Sequence, residues 1–229
     1  MSRANKNPAV ATVHRDAILK AAKELFMQKG FAESTIDDLS RASGYSRRTL
    51  YAYFTSKEDM LHNIVAEGLE TLKEELTMAI TVPKTAPEAD SEKAFEAASE
   101  DFVSRFRAVF QAMHRYCLSQ PLSAKAINSP VTAPRTEQPS ETSLRIFALG
   151  NEINAMLTEF LSEGIRTGSV RNTINPALSV QIFWSSASSL FNLIDAKSPY
   201  MTEAFGMTPE EIAEYGFRQL ANSILEVRI

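Results

Sequence analysis

Cysteine, histidine and tryptophan are scarce in this chain of 229 residues, which holds one Cys, three His and one Trp. A lone Cys117 excludes an intramolecular disulfide framework. His114 and Cys117 form an i, i+3 pair, but so few soft donors make a poor metal site, and no metal or other cofactor is expected. No apolar run approaches the roughly 20 residues that span a bilayer, and the polar opening MSRANKNPAVATVHR lacks the apolar core of a signal peptide. A cytoplasmic protein without membrane contact is the expectation. Catalytic signatures are missing as well: there is no G-x-S-x-G elbow, no dinucleotide-binding glycine fingerprint and no paired metal motif. GIRTGS at Gly164 lacks the lysine of a phosphate-binding loop. No catalytic residue is assigned, and an enzyme stands only as a rival reading.

What the sequence does have is helical periodicity, and the densest signals lie between Thr35 and Lys57. Thr35 and Asp38 form a Thr-x-x-Asp capping box, and Ile36, Leu39 and Ala42 follow at helical spacing. Ser40 is small enough for a close crossing. Gly44 permits a left-handed turn, and Ser46 caps a second short helix on which Leu50 and Phe54 face inward. That leaves Arg47, Arg48, Thr49, Tyr51 and Tyr53 to the outer and flanking surfaces. Ser56 and Asp59 form another capping box, at the start of a long helix that begins with Lys57. The pattern predicts a helix-turn-helix with a basic, hydroxyl-rich second helix.

Before it, Ile18, Ala21, Ala22, Leu25 and Phe26 predict a helix over 13–29 ending at Gly30, and residues 1–12 form an arm carrying Arg3 and Lys6. After it, the helix from Lys57 runs to about Ile80, and TVPKTAPEAD breaks the pattern. Phe102, Phe106, Val109, Phe110, Met113 and Cys117 form one stripe of the helix from Ser91 to about Ser119. Residues 121–139 hold four prolines and read as a long loop with a short helix at Leu122–Asn128. A helix over 141–167 follows. Asn175-Pro176 opens a helix to about Asp195, and Thr208-Pro209 opens the last one, to about Val227. Both are apolar on more than one face, which favours a four-helix interface between two copies, with Trp184, Phe191 and Leu220 at or near the two-fold axis. The expected fold class is all-α, with a three-helix head at 13–56 and a larger helical body at 57–229.

Charge divides along the same boundary. Residues 1–57 carry +5 and the rest −9 within a total of −4, so a polyanionic partner is expected to meet the N-terminal quarter.

From Ile18 to Leu61 the chain resembles the TetR family of bacterial transcription regulators. The resemblance is carried by Lys29-Gly30-Phe31, Ser34-Thr35-Ile36-Asp37-Asp38-Leu39, Ala42-Ser43-Gly44-Tyr45-Ser46, Thr49-Leu50-Tyr51-Ala52-Tyr53-Phe54 and Ser56-Lys57-Glu58. Two positions depart from it: Ser40 stands where the family usually has Ala, and Arg48 where it often has Gly. The resemblance implies that the second helix of the motif enters a major groove of double-stranded DNA. Arg47 and Arg48 would then offer forks to guanine and Tyr51 and Tyr53 would meet thymine methyl groups or phosphate. Thr35, Ser46, Thr49 and Lys57 would hold the backbone. It also implies a body that senses a small molecule, a homodimer through the last two helices, and a repressor released from a palindromic operator. Phe106, Phe110, Met113, Met156, Phe160 and Trp184 are the candidate pocket walls, with His114 and Asn154 as polar handles. The rival to DNA binding is a helical module that uses its helix-turn-helix to bind protein.

Overall fold

The structure, a computed structural model, describes residues 8–81, 92–127 and 139–226. The part of the expected arm that holds Arg3 and Lys6, residues 82–90 of the expected break, and residues 128–138 of the expected loop lie outside the described residues. The described residues form nine helices: α1 (Pro8–Lys29), α2 (Ile36–Ser43), α3 (Arg47–Tyr53), α4 (Lys57–Ile80), α5 (Glu92–Ser119), α6 (Pro121–Ile127), α7 (Glu141–Arg166), α8 (Pro176–Phe205) and α9 (Pro209–Ala221). An isolated antiparallel bridge between Val170 and Leu225 is their one extended pairing. The fold is all-α, with the three-helix head followed by the larger helical part.

Contacts divide the chain into two units, Met1–Leu69 with Gln120–Ala148 and Glu70–Ser119 with Leu149–Ile229. In the first unit α1 starts at Pro8, five residues before the expected 13, because proline fits a first helical turn that needs no N–H. Its buried stripe is Ile18, Leu19, Ala22 and Phe26. Gly30, at φ 88°, ends the helix, and Phe31 folds back edge-on against Phe26 at 5.3 Å. Leu39, Leu50, Phe54, Met60, Leu61, Ile64 and Val65 complete this core. Ala42, expected on the inner face of α2, is exposed. The short helix of the 121–139 stretch is α6, seated by Ser123 Oγ, which donates to the Val65 carbonyl at 3.3 Å.

The second unit is built on phenylalanine. The α5 stripe buries Phe102, Phe106, Val109, Phe110 and Met113 as read, together with Tyr116; Cys117 is only half-buried. Phe102 stacks on Phe160 of α7 at 4.6 Å, and Phe110 meets Phe191 at 4.9 Å and Phe217 at 5.1 Å. Such pairs add about 0.5–1.5 kcal/mol each beyond the area they bury. Arg105 is buried inside this cluster, its guanidinium 5.6 Å over Phe102 and 5.3 Å over Phe160. It is paired with Asp101 at 3.0 Å and Glu163 at 3.4 Å, and donates to the Ile80 carbonyl at 3.5 Å, so the charge is not left bare.

After α7 the chain turns at Gly168, φ 76°, with Ser169 N and Val170 N both donating to the Gly164 carbonyl. Arg171 then clamps the C-terminal turn through the carbonyls of Leu225 and Asn222. Helix α8 is capped by Asn175 and runs through Pro199 to Phe205, ten residues past the expected end near Asp195, with Gly206 as its C-cap. Pro199 denies a donor to the carbonyl four residues back, that of Asp195, which is exposed. One side of α8 is core, through Val180, Phe183, Ala187, Phe191 and Ile194. On the other, Leu178, Ile182, Leu193 and Tyr200 stay exposed. Its most apolar 18-residue window has a mean hydropathy of 1.2, a length and composition that membrane spans share with core helices.

Two glycines of α7 separate packing from propensity. A Cβ at Gly164 would lie 2.5 Å from both Phe102 Cζ and Val170 Cγ2, whereas at Gly150 it would meet nothing within 4 Å. Gly164→Ala should lower unfolding stability by about 1–3 kcal/mol, and Gly150→Ala should raise it by about 0.5–1 kcal/mol, both read from urea unfolding curves.

Candidate nucleic-acid interface and cavity

Within the head, four donors converge on one carboxylate. Asp38 accepts from Thr35 N at 3.0 Å and Thr35 Oγ1 at 2.7 Å, and pairs with Lys29 of α1 and Arg41 of α2. In return Thr35 Oγ1 accepts from Asp38 N at 3.2 Å, which completes the capping box. The Lys29 bond first, and the Thr35 bonds after it, hold the Asp38 carboxyl well below the usual carboxylate range. The turn that follows depends on Gly44 at φ 73° and on Ser40, whose hydroxyl donates to the Tyr45 carbonyl at 2.6 Å. Ser40 thus does more than allow a close crossing: it ties the end of α2 to the turn before α3.

Helix α3 is seated by Leu50 and by Phe54, which are buried, and by the Ser46 cap on Thr49 N at 3.1 Å. The outward residues then fall into two groups. Arg48 and Tyr51 are exposed, Tyr51 by 54 %, and no described residue pairs with either. The others are engaged within the head. Arg47 is exposed but pairs with Asp37 of α2, a surface pair of small worth that a phosphate could replace. Thr35 and Ser46 are exposed caps, and Thr49 is half-buried with its hydroxyl 2.9 Å from Ser46 Oγ.

Tyr53 is half-buried. Its hydroxyl lies 3.2 Å from His14 Nδ1, and the His14 ring also leans on Tyr45 at 5.3 Å. His14, on the polar side of α1, carried no periodic signal, and its role appears only once α1 and α3 are brought together.

Lys57 is the clearest departure. The sequence reading expected its ammonium to face a phosphate. Instead Nζ donates to the carbonyls of Phe31 at 2.8 Å, Ala32 at 3.3 Å and Ser34 at 2.9 Å, and sits 4.4 Å over the Phe31 ring. Those carbonyls follow a helix end and have no helical donor, so a cation in the first turn of α4 satisfies them. The Ser56 cap departs in a smaller way. Asp59 N reaches Ser56 Oγ, but the Asp59 carboxylate takes Thr55 N at 2.8 Å rather than closing the box on Ser56.

The second unit contains a small apolar recess, partly open to solvent, lined by Phe106, Val109, Met113, Leu157, Phe160, Leu161, Val180, Phe183, Trp184 and Ile224. Four of the eight expected pocket residues are there: Phe106, Met113, Phe160 and Trp184. Four are not. Phe110 is spent in the Phe191–Phe217 cluster, and Met156 takes the Thr77 hydroxyl on its sulfur at 3.4 Å. Asn154 is half-buried away from the lining. His114 stacks on Phe191 at 4.5 Å, and burial lowers its pKa, against a smaller opposing pull from Glu210. The expected polar handles therefore do not reach the cavity. Cys117 is not a reactive thiol either, since burial pushes it up to about 11. No cluster of three or more metal-ligating side chains occurs among the described residues. Of the residues expected at a two-fold interface, Phe191 is 4 % exposed inside its own subunit and Trp184 lines the cavity, while Leu220 is half-buried. The exposed large apolar side chains of these helices are Leu178, Ile182, Leu193, Tyr200, Phe205 and Tyr215.

Residues 18–64 match the family model described as bacterial regulatory proteins, tetR family. The chain is similar to the uncharacterized HTH-type transcriptional regulator YfiR of Bacillus subtilis, 41 % identical over 68 residues, 28 % of this chain and 33 % of that protein. It is also similar to the HTH-type transcriptional repressor BepR of Brucella suis, 27 % identical over 114 residues, 49 % of this chain and 54 % of BepR. The chain thus spans between a third and about half of the length of these relatives. Among solved structures, AibR in complex with isovaleryl coenzyme A and operator DNA superimposes with a TM-score of 0.62 at 17 % identity, over 90 % of this chain and 97 % of AibR. That likeness is one of fold.

Lys57→Met strips a charged donor from three carbonyls and should lower unfolding stability by about 1–3 kcal/mol, while the salt slope of duplex binding stays at the wild-type value. Asp38 contributes stability that is full above the unfolded carboxyl's value of about 3.9 and is lost as pH falls through its depressed folded value. The gap in melting temperature between wild type and Asp38→Asn should therefore be constant from pH 7 to about 5 and shrink below about 4.

Proposed function

We propose, from the premise that this chain is a TetR-family helix-turn-helix regulator, that it binds an operator in double-stranded DNA and controls transcription there as a repressor. The observation that carries this is the outward face of α3, where Arg48 and Tyr51 project without partners among the described residues, from a helix whose seat and caps are fixed. A guanidinium left unpaired beside an exposed ring is poised for a base edge. Thr35, Ser46, Thr49 and Arg47 fix the register on phosphate in this reading, and Lys57 and Tyr53 hold the head together behind it. The basic N-terminal quarter and acidic remainder favour DNA over a protein partner for the same surface.

Two copies of α3 must stand about 34 Å apart to meet successive major grooves, so the reading includes a homodimer and a palindromic site, in a cytoplasmic protein. The exposed Leu178, Ile182, Leu193 and Tyr215 of α8 and α9 support that pairing. A small molecule in the cavity would shift α4, whose first turn belongs to the head, and release the operator.

Fragments retained from genomic DNA by the purified protein supply the duplexes for the test. Arg48→Ala should cost about 1–3 kcal/mol on the matched site and level the preference at one base pair. Arg47→Ala should weaken matched and mismatched duplexes alike and reduce the salt slope by about one. Equal losses for both variants on every duplex would sink the assignment of Arg48 to base reading.

A further inference from the structure

We propose that each half-site of the operator presents a guanine and, on the adjacent base pair, a thymine, the guanine read by Arg48 and the thymine methyl group by Tyr51 together with Ala52. The inference rests on the DNA-binding reading above and deepens it, from a face of α3 to the bases that face selects. The exposed residues of α3 are Arg47, Arg48, Tyr51 and Ala52, while Thr49 and Tyr53 are half-buried and Leu50 is buried. Arg47 is engaged with both carboxylate oxygens of Asp37. Arg48, Tyr51 and Ala52 are left, three and four residues apart and so neighbours on one face.

That face offers donors and apolar surface but no carboxylate or side-chain amide. Helix α3, RRTLYAY, holds no Asp, Glu, Asn or Gln, and the Asp37 carboxylate that α2 brings to it is taken by Arg47. In the major groove adenine and cytosine each show an amino donor, which calls for an acceptor. Guanine shows two acceptors, N7 and O6, and thymine shows one acceptor and a methyl group. The Arg48 fork therefore fits guanine, whereas on adenine one arm would meet an amino hydrogen. The Tyr51 hydroxyl both donates and accepts, so it selects no base. Its ring and the Ala52 methyl group do select, by covering a thymine methyl that cytosine lacks. Ala52 also keeps this point of the face low, where a longer side chain would hold α3 off the base edges. Side chains three or four residues apart on a helix in the major groove meet successive bases, which puts the thymine next to the guanine.

The test uses the full chain and the duplex most enriched among the retained genomic fragments, with single bases replaced in one half-site. Uracil for thymine removes one methyl group, and 7-deazaguanine for guanine removes N7 alone. For the wild type, uracil at one position should weaken binding about fourfold. On the neighbouring pair 7-deazaguanine should weaken it roughly threefold to tenfold. The two penalties should separate by residue: Arg48→Ala loses the 7-deazaguanine penalty and keeps that of uracil, and Tyr51→Ala does the reverse. Should Tyr51→Ala lose its helical circular dichroism, Ala52→Gly decides instead and should at least halve the uracil penalty. No methyl penalty beside the guanine that Arg48 reads, a uracil penalty that the readable variant leaves unchanged, or a 7-deazaguanine penalty that survives Arg48→Ala would each overturn the proposal. Every one of these outcomes compares duplexes that the protein binds. Failure to bind any duplex selectively would overturn the DNA-binding reading itself, so the two failures are distinguishable.

Discussion

The Asp38 carboxylate is the point on which the head is assembled. A short helix such as α2, eight residues long, is not stable by propensity, because too few backbone bonds form to offset the ordering of its first turn. Asp38 relieves this locally by closing the capping box with Thr35, and over a longer range by drawing Lys29 to it from the end of α1. The same group thus starts α2 and fixes its angle to α1. The angle of α3 then depends on Gly44 and on the Ser40 bond to the Tyr45 carbonyl, so the direction in which Arg48 points is inherited from a carboxylate ten residues earlier. Side chains facing outward can vary freely only because those facing inward are so tightly constrained.

In the second unit the constraint is of another kind. Phenylalanine rings of α5, α7, α8 and α9 stack and tilt against one another, and non-directional apolar burial becomes directional through their quadrupoles. Arg105 adds a cation to the faces of two of those rings while discharging its own hydrogen bonds on two carboxylates and a carbonyl. Removing either carboxylate would leave a buried charge poorly paired, which costs more than the pair gains. An aromatic cluster of this type leaves gaps where rings cannot tile, and the recess lined by Phe106, Phe160 and Phe183 is such a gap.

Much of this was legible in the sequence because it is local. Thr35 and Asp38, Ser46 with Thr49, Asn175 before Pro176 and Gly44 are caps and turns whose partners lie within a few residues, and each is where the pattern puts it. The α5 stripe was legible because 3.6-residue periodicity reports burial. What escaped depends on partners far away in the chain. Lys57 reads as a free cation until the three carbonyls after α1 are brought beneath it, and Tyr53 reads as outward until His14 is opposite. Phe110 and Phe160 carry the same apolar signal, but the first is consumed in packing and the second lines space. Periodicity tells which side of a helix is buried, not whether something fills the room beside it. Helix α8 shows the reverse limit: Phe191 and Ile182 are equally apolar, and only folding separates the residue inside the subunit from the one left exposed.

The two ends of α4 are held alike. At its first residue Lys57 lies over the Phe31 ring and collects carbonyls from the turn after α1, and at its last the Ile80 carbonyl is taken by Arg105, which lies over Phe102 and Phe160. A cation fixed on a ring by its face is sensitive to that ring's position, because the attraction falls when the ring moves from beneath it. Phe160 is also a wall of the cavity. On the proposed reading, a small molecule entering beside Phe160 competes with packing that Arg105 depends on, and the carbonyl that would respond terminates the helix whose first turn braces the head proposed to read DNA. A ligand needs no polar grip on the protein to be felt in this way. It needs only to displace a ring that a buried charge is using, which is why a lining without polar handles is compatible with a sensor.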